Sequence, residues 1–210
     1  MSYRLLSAVS IALAVAAPGC GDVVRQGRSP VMLTVSSLTD ANQNLTLRSN
    51  VADGQPDMAT VTLSAEMKDY LVAPTSNNQV TVNRYRVSYR RADGRNTPGV
   101  DVPYAFDGAL TLTLQPGGSG GSSGSGGSSG SSGSGSSSSG GSGGSGGTSQ
   151  FEIVRVVAKR EAPLAQLATS SNVLTMIADV TFYGTDLVGN TVSATGSISI
   201  DFGNFPTGGQ

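Results

Sequence analysis

The sequence predicts an all-β fold of two packed layers, and three observations carry that expectation. Segments of alternating polar and apolar residues recur along the chain, the two-residue period of half-buried strands. Clusters of Gly, Pro, Asn and Asp separate them at roughly the 8–12-residue spacing of short antiparallel strands. Only one stretch, 159–168, reads as a helical turn or a crossover, because Leu164 and Leu167 follow Pro163 at helical spacing.

The N-terminus comes first. Arg4 and the terminal amine precede an apolar run over 5–17 that only Ser7 and Ser10 interrupt. Such a run is too short for the roughly 20 residues that span a bilayer as a helix. Charge, apolar run and small residues in that order form a secretory signal pattern. The run ends in Ala17-Pro18-Gly19-Cys20, and Cys20 is the only cysteine. One cysteine cannot form an internal disulfide. This ending resembles a bacterial lipoprotein signal. The resemblance implies cleavage before Cys20, a signal peptide at 1–19 that forms the N-terminal helix, and acylation of Cys20 by several chains, palmitate among them. Several chains give stable membrane attachment where one gives marginal binding. Gly21 follows the cysteine directly and Asp22 comes one place later, which by the lipoprotein sorting pattern favours the outer over the inner membrane. Residues 20–30 are polar and aperiodic, and read as a lipidated tether.

Composition narrows the function. Lys and Arg number 13 against 14 Asp and Glu, whereas a nucleic-acid partner would call for a basic surface. The chain has no His and no Trp. Without His there is no Ser-His-Asp or Cys-His machinery and no imidazole metal ligand. Ser-Lys or carboxylate-pair catalysis stays formally open, but no spacing points to either. The expectation is a non-enzyme with no cofactor and no metal.

The strands follow in order. Val31, Leu33 and Val35 alternate with Met32, Thr34 and Ser36, giving a strand over 31–36; a weaker one covers 45–51. The cleanest alternation runs over 60–68, where Val61, Leu63, Ala65 and Met67 oppose Thr60, Thr62, Ser64, Glu66 and Lys68. Residues 79–91 form the longest candidate. Val80 and Val82 share one phase and Tyr85, Val87 and Tyr89 the other, so a β-bulge is expected near Asn83 and Arg84. A short strand over 100–106 carries Pro103, which suits an edge or bulge. Asp107-Gly108 reads as a tight turn, followed by a strand over 109–114. Beyond residue 147, strands are expected over 151–158, 173–183 and 192–202.

Arg84, Arg86 and Arg90 stand opposite the aromatic stripe of 79–91, with Arg91 and Arg95 close by. Five guanidinium groups in one hairpin could bind an anion such as a phosphate, acidic glycan or lipid headgroup. Equally, they could form a solvated face paired with acids such as Asp93 and Asp101 that keeps an edge from aggregating.

Residues 117–147 are Gly and Ser alone. Such a tract buries no apolar surface and is expected to be disordered. Loop closure costs little more as a loop lengthens, so the tract reads as a loop within one domain over 31–205. The segment after it is marginal for folding alone.

Asp186, Gly189 and Asn190 form a D-x-x-G-N turn between the last two strands. This hairpin resembles the end of bacterial immunoglobulin-like domains, and the resemblance implies an immunoglobulin-like β-sandwich of about eight or nine antiparallel strands. One Asp and one Asn are too few oxygens for calcium. The runs Gly19-Cys20-Gly21-Asp22-Val23-Val24-Arg25-Gln26-Gly27-Arg28-Ser29-Pro30, Tyr89 through Tyr104 and Phe202-Gly203-Asn204-Phe205 resemble a group of uncharacterised bacterial lipoproteins with no known activity. Their loop at the tract is expected to be short, so the long tract reads as a tolerated insertion.

The expected core is Val31, Leu33, Val35, Val61, Leu63, Met67, Tyr85, Val87, Leu110, Leu112, Ile153, Val180, Phe182, Ile198 and Ile200. The expected function is a lipid-anchored module of the bacterial cell envelope that binds or scaffolds. Its partners would be the membrane, through its N-terminal lipid, and an envelope protein or polysaccharide. The alternative is a subunit of a larger envelope assembly whose open sheet edge a partner strand completes.

Overall fold

The alternating segments pair into two β-sheets in the computed structural model, which describes residues 27–117 and 146–205. The expected signal peptide, Cys20 and the middle of the Gly/Ser tract lie outside the described residues. The elements in chain order are β1 (Val31–Asp40), β2 (Thr46–Asn50), β3 (Asp57–Met67), β4 (Val80–Arg90), β5 (Phe106–Leu114), β6 (Gly146–Val154), helix α1 (Val156–Arg160), β7 (Leu174–Asp186) and β8 (Thr191–Gly203). Short 3₁₀ turns occupy Ser76–Asn78 and Leu164–Thr169.

One sheet has the order β1-β3-β6 and the other β2-β8-β7-β4-β5. Strands from both sides of the Gly/Ser tract therefore pair in both sheets. The strands alternate buried and exposed positions, and the buried side chains form one cluster between the sheets. Phe151 packs edge-on against Tyr85 and Phe182 at centroid distances of 4.8 and 5.4 Å. Two tyrosines of β4 reach across: the Tyr85 hydroxyl donates to the Glu152 carbonyl at 3.0 Å and Tyr89 to that of Ile153 at 2.6 Å. Each phenol thus buries a ring while its oxygen keeps a partner, and burial pushes both pKa values up.

The bulge expected in β4 is present, with the register shifting between Val82 and Arg84 against both neighbours. Several expectations need correction. The strands are not all antiparallel, since β2 pairs with β8 in parallel. This follows from the Asp40–Asn44 turn, which moves the chain from one sheet to the other instead of closing a hairpin. Residues 100–105 form no strand. The amides of Val100, Asp101 and Val102 all turn back to the Thr97 carbonyl, and Pro103 has no N–H to give a ladder. Asp107-Gly108 is no turn either, because both lie inside β5 with Gly108 opposite Tyr85. A Cβ on Gly108 would fall 2.2 Å from the Tyr85 ring, so the glycine marks a close approach within a strand.

The strand expected over 151–158 ends at Val154, and α1 takes over. It also starts earlier, within the Gly/Ser tract. Gly147 stands against Leu112 and Leu114, where a Cβ would sit at 2.9 Å. At the tract's other end, the Gly117 amide donates to the Ala65 carbonyl. The disorder expected over 117–147 therefore does not apply to Gly117, Gly146 and Gly147. Ser29 and Pro30, expected to belong to the tether over 20–30, are part of the β body instead. Ser29 is buried, its hydroxyl accepts from the Val31 amide at 3.2 Å, and the Pro30 carbonyl accepts from Lys68. Of the expected core, Val35 and Met67 are only partly buried; a bulge between Val35 and Ser37 interrupts the alternation of β1.

Candidate functional site

Charged side chains gather in three places: the outer face of β4, the loop after it, and a buried cluster beside α1. On β4 the outward positions left by the bulge are Arg84, Arg86, Ser88 and Arg90. Arg86 stands opposite Asp107 of β5, and its Nη1 reaches an Asp107 carboxylate oxygen at 2.8 Å. Arg84 sits 3.8 Å from the same carboxylate, with its guanidinium 4.3 Å above the Tyr183 ring. Arg90 meets Asp179 of β7 at 2.7 Å, and Ser197 of β8 donates to that carboxylate from the far side.

In the loop, Arg91 and Arg95 share Asp93 at 2.7 and 3.0 Å. Desolvation pushes Asp93 up, but the amide and guanidinium of Arg95 and the guanidinium of Arg91 outweigh it and hold the carboxyl below its usual range. The five arginines therefore do not converge on one anion. They divide into three groups, each tied to its own carboxylate. The expected acids are half right: Asp93 serves, whereas Asp101 accepts from the Thr97 amide at 3.3 Å. Asp107 and Asp179 do the rest, and both were legible only through strand register.

The buried cluster was not foreseen. Lys159, on α1, has a fully buried side chain whose Nζ donates to the Asn50 carbonyl at 2.9 Å, Asp53 Oδ1 at 3.0 Å and Asp57 Oδ1 at 3.1 Å. Three donors meet three acceptors, so the ammonium is completely satisfied. The Ser49 hydroxyl donates to Asp57 Oδ2 at 2.6 Å. Burial raises the Asp57 pKa, against the opposing pull of Ser49 and Lys159. Helix α1 is thereby pinned to the β2–β3 connection, with the lysine's donors fully committed. A lysine just past an apolar run carries no signal of burial, since lysine is almost never fully buried unless paired.

No protein-family model, curated protein or solved structure matches this chain. Among the described residues, no group of three or more Cys, Asp and Glu is placed to hold a metal ion, and no helix is long and apolar enough to cross a membrane.

The D-x-x-G-N turn closes on itself. Asp186 Oδ1 accepts from the amides of Val188 and Asn190 at 3.1 and 2.8 Å, and Oδ2 from the Asn190 side chain at 2.9 Å, while Gly189 takes φ +90°. The same construction recurs at Asp40. Its Oδ1 accepts from the amides of Asn42 and Asn44 at 2.8 and 2.7 Å, its Oδ2 from the Asn44 side chain, and Gln43 takes φ 67° where the other turn has glycine. An Asp and an Asn four apart was the signal that could have found this second turn. Desolvation would raise the Asp186 pKa, but the Asn190 side chain and amide, the Ser29 hydroxyl and the Val188 amide hold it below the usual carboxylate range.

Proposed function

We propose that this chain is a lipid-anchored protein of the bacterial cell envelope, acting as a non-catalytic binding or scaffolding module. The observation that carries the reading is Ala17-Pro18-Gly19-Cys20 after a short apolar run, with a brief polar stretch before the β body begins at Ser29. An acylated Cys20 would hold that body at the membrane, the outer membrane being favoured. The body itself is an immunoglobulin-like sandwich in this reading, supported by its two sheets, its shared core and the Asp186–Asn190 turn.

The working surface is the outer face of β4 with the loop after it, bearing Arg84, Arg86, Arg90, Arg91 and Arg95. Because each arginine already faces a carboxylate, the face offers interleaved charges of both signs. Such a face suits an envelope protein with complementary mixed charge better than a polyanionic glycan. Membrane fractionation tests the anchor: the native chain should pellet with membranes and a Cys20→Ser chain should lack the acyl modification. An equally unmodified native chain would refute the reading.

The strand-completing alternative has a specific edge to stand on. Among the described residues β6 of the three-stranded sheet pairs only with β3, and no described strand lies on its other side along Gly146–Val154. If a partner strand fills that edge, the chain should purify from solubilised envelope only as a complex. Purification as a stable single chain would remove this alternative.

A further inference from the structure

The two ends of the β body differ in character, and the difference points to a membrane-facing tip. Register places Val80 opposite both Leu114 and Asp186, and Val31 opposite Met67. One end therefore carries the β3–β4 loop, the β7–β8 turn, both stems of the Gly/Ser tract at Gly117 and Gly146, and the Ser29 segment with the exposed Arg28 before it. Gln115 donates to the Thr75 carbonyl there, joining the end of β5 to the β3–β4 loop.

That surface presents apolar side chains to solvent. Tyr70 is 80%, Leu71 78% and Val188 71% exposed, with Val72 and Leu187 beside them. Two short turns fix them there: Asp69 accepts from the Leu71 amide at 2.9 Å, and Asp186 organises the turn bearing Leu187 and Val188. The loop over 68–79 has Lys68 and Asp69 as its only charges, and 187–190 has none. At the opposite end Arg91, Asp93, Arg95, Asp101, Arg160 and Glu161 surround the exposed Val100, Tyr104, Val157 and Val173, so the ends differ in charge and not in apolar exposure. An apolar, nearly uncharged tip bearing an exposed tyrosine matches the headgroup boundary of a bilayer, where amphipathic rings concentrate.

Chain length decides what covers it. Seven peptide steps lead from Cys20 to Gly27, a reach of about 25 Å at full stretch. A strand the length of β7, 13 residues, spans roughly 40 Å. A bilayer holding Cys20 is thus within reach of the apolar end, while the charged end lies beyond it.

We propose that Tyr70, Leu71 and Val72 together with Leu187 and Val188 dock into the surface of the lipid bilayer that anchors the chain, fixing the β body upright instead of leaving it swinging on its tether. The inference rests on the lipid-anchor reading. Exposed apolar residues at the tip would then be partly covered in the working protein.

The test uses the full lipidated chain in vesicles of phosphatidylethanolamine and phosphatidylglycerol. Single Leu71→Cys, Val188→Cys and Thr97→Cys chains carry an environment-sensitive fluorophore, and nitroxide lipid serves as quencher. Labels at 71 and 188 should shift to the blue and be quenched severalfold, while the label at 97 stays water-like. If 71 and 188 match 97 although the native chain remains vesicle-bound, docking is wrong and the anchor stands. If the native chain instead takes the fluorophore at a free Cys20 thiol and leaves the vesicles, the anchor reading falls and docking falls with it.

Discussion

Lys159 shows how much one buried charge can organise. Its three acceptors come from the end of β2, the loop after it and the start of β3, so it fixes α1 against the β2–β3 connection. A buried pair of this kind is a weak source of net stability, but breaking it strands a charge. Lys159→Met is expected to cost about 3–5 kcal/mol in urea unfolding, because Asp57 and Asp53 lose their counter-ion. Combining it with Asp53→Asn and Asp57→Asn should recover a large part; no recovery would mean that the lysine acts by packing. The carboxylates also set the pH response. Asp57 has a raised pKa, so the folded state holds its proton more tightly than the unfolded chain. Stability should therefore rise as pH falls from neutral through that raised value, levelling off below 3.8. Asp186 runs the other way: its lowered pKa gives stability present above 3.8 and lost as pH falls below it. Urea midpoints against pH should lose their neutral-side slope in Asp57→Asn and soften their acid-side fall in Asp186→Asn. None of this was legible from composition, because residue type and spacing do not report which charges a fold buries.

At the scale of the element, alternation was legible and glycine was ambiguous. Val61, Leu63 and Ala65 alternate with threonine and serine, and β3 buries them as that pattern requires. Asp107-Gly108, by contrast, has the composition of a turn yet continues β5, because Tyr85 needs the space above Gly108. Gly108→Ala is expected to destabilise by about 1–3 kcal/mol through overpacking, read as a lowered midpoint with an unchanged denaturant slope. A neutral result would show that Tyr85 can move aside freely. The arginine face behaves differently. Its partners Asp107 and Asp179 lie on neighbouring strands and could be found only once the register of β4 was known. Exposed pairs of this sort are each worth about 0–1 kcal/mol. Replacing Arg84, Arg86 and Arg90 with Ser should leave the fold intact while abolishing co-purification of the proposed envelope partner. Retention of that partner would exclude this face as the working surface.

At the scale of the whole molecule, the sheets were legible as a class and their closure was not. The two-residue period gave β structure, but the parallel β2–β8 pairing depends on the Asp40–Asn44 turn carrying the chain between sheets. The Gly/Ser tract reads as a disordered loop within one domain, yet β6 begins inside it and pairs with β3, a strand from before the tract. The proposed function rests on residues ahead of that body, where a single cysteine follows a short apolar run. The most direct measurement is the intact mass of the N-terminal peptide from native membranes. The mature chain should begin at Cys20 and carry several acyl chains on it. A mature chain with an unmodified cysteine, or one cleaved elsewhere, would contradict the proposed function.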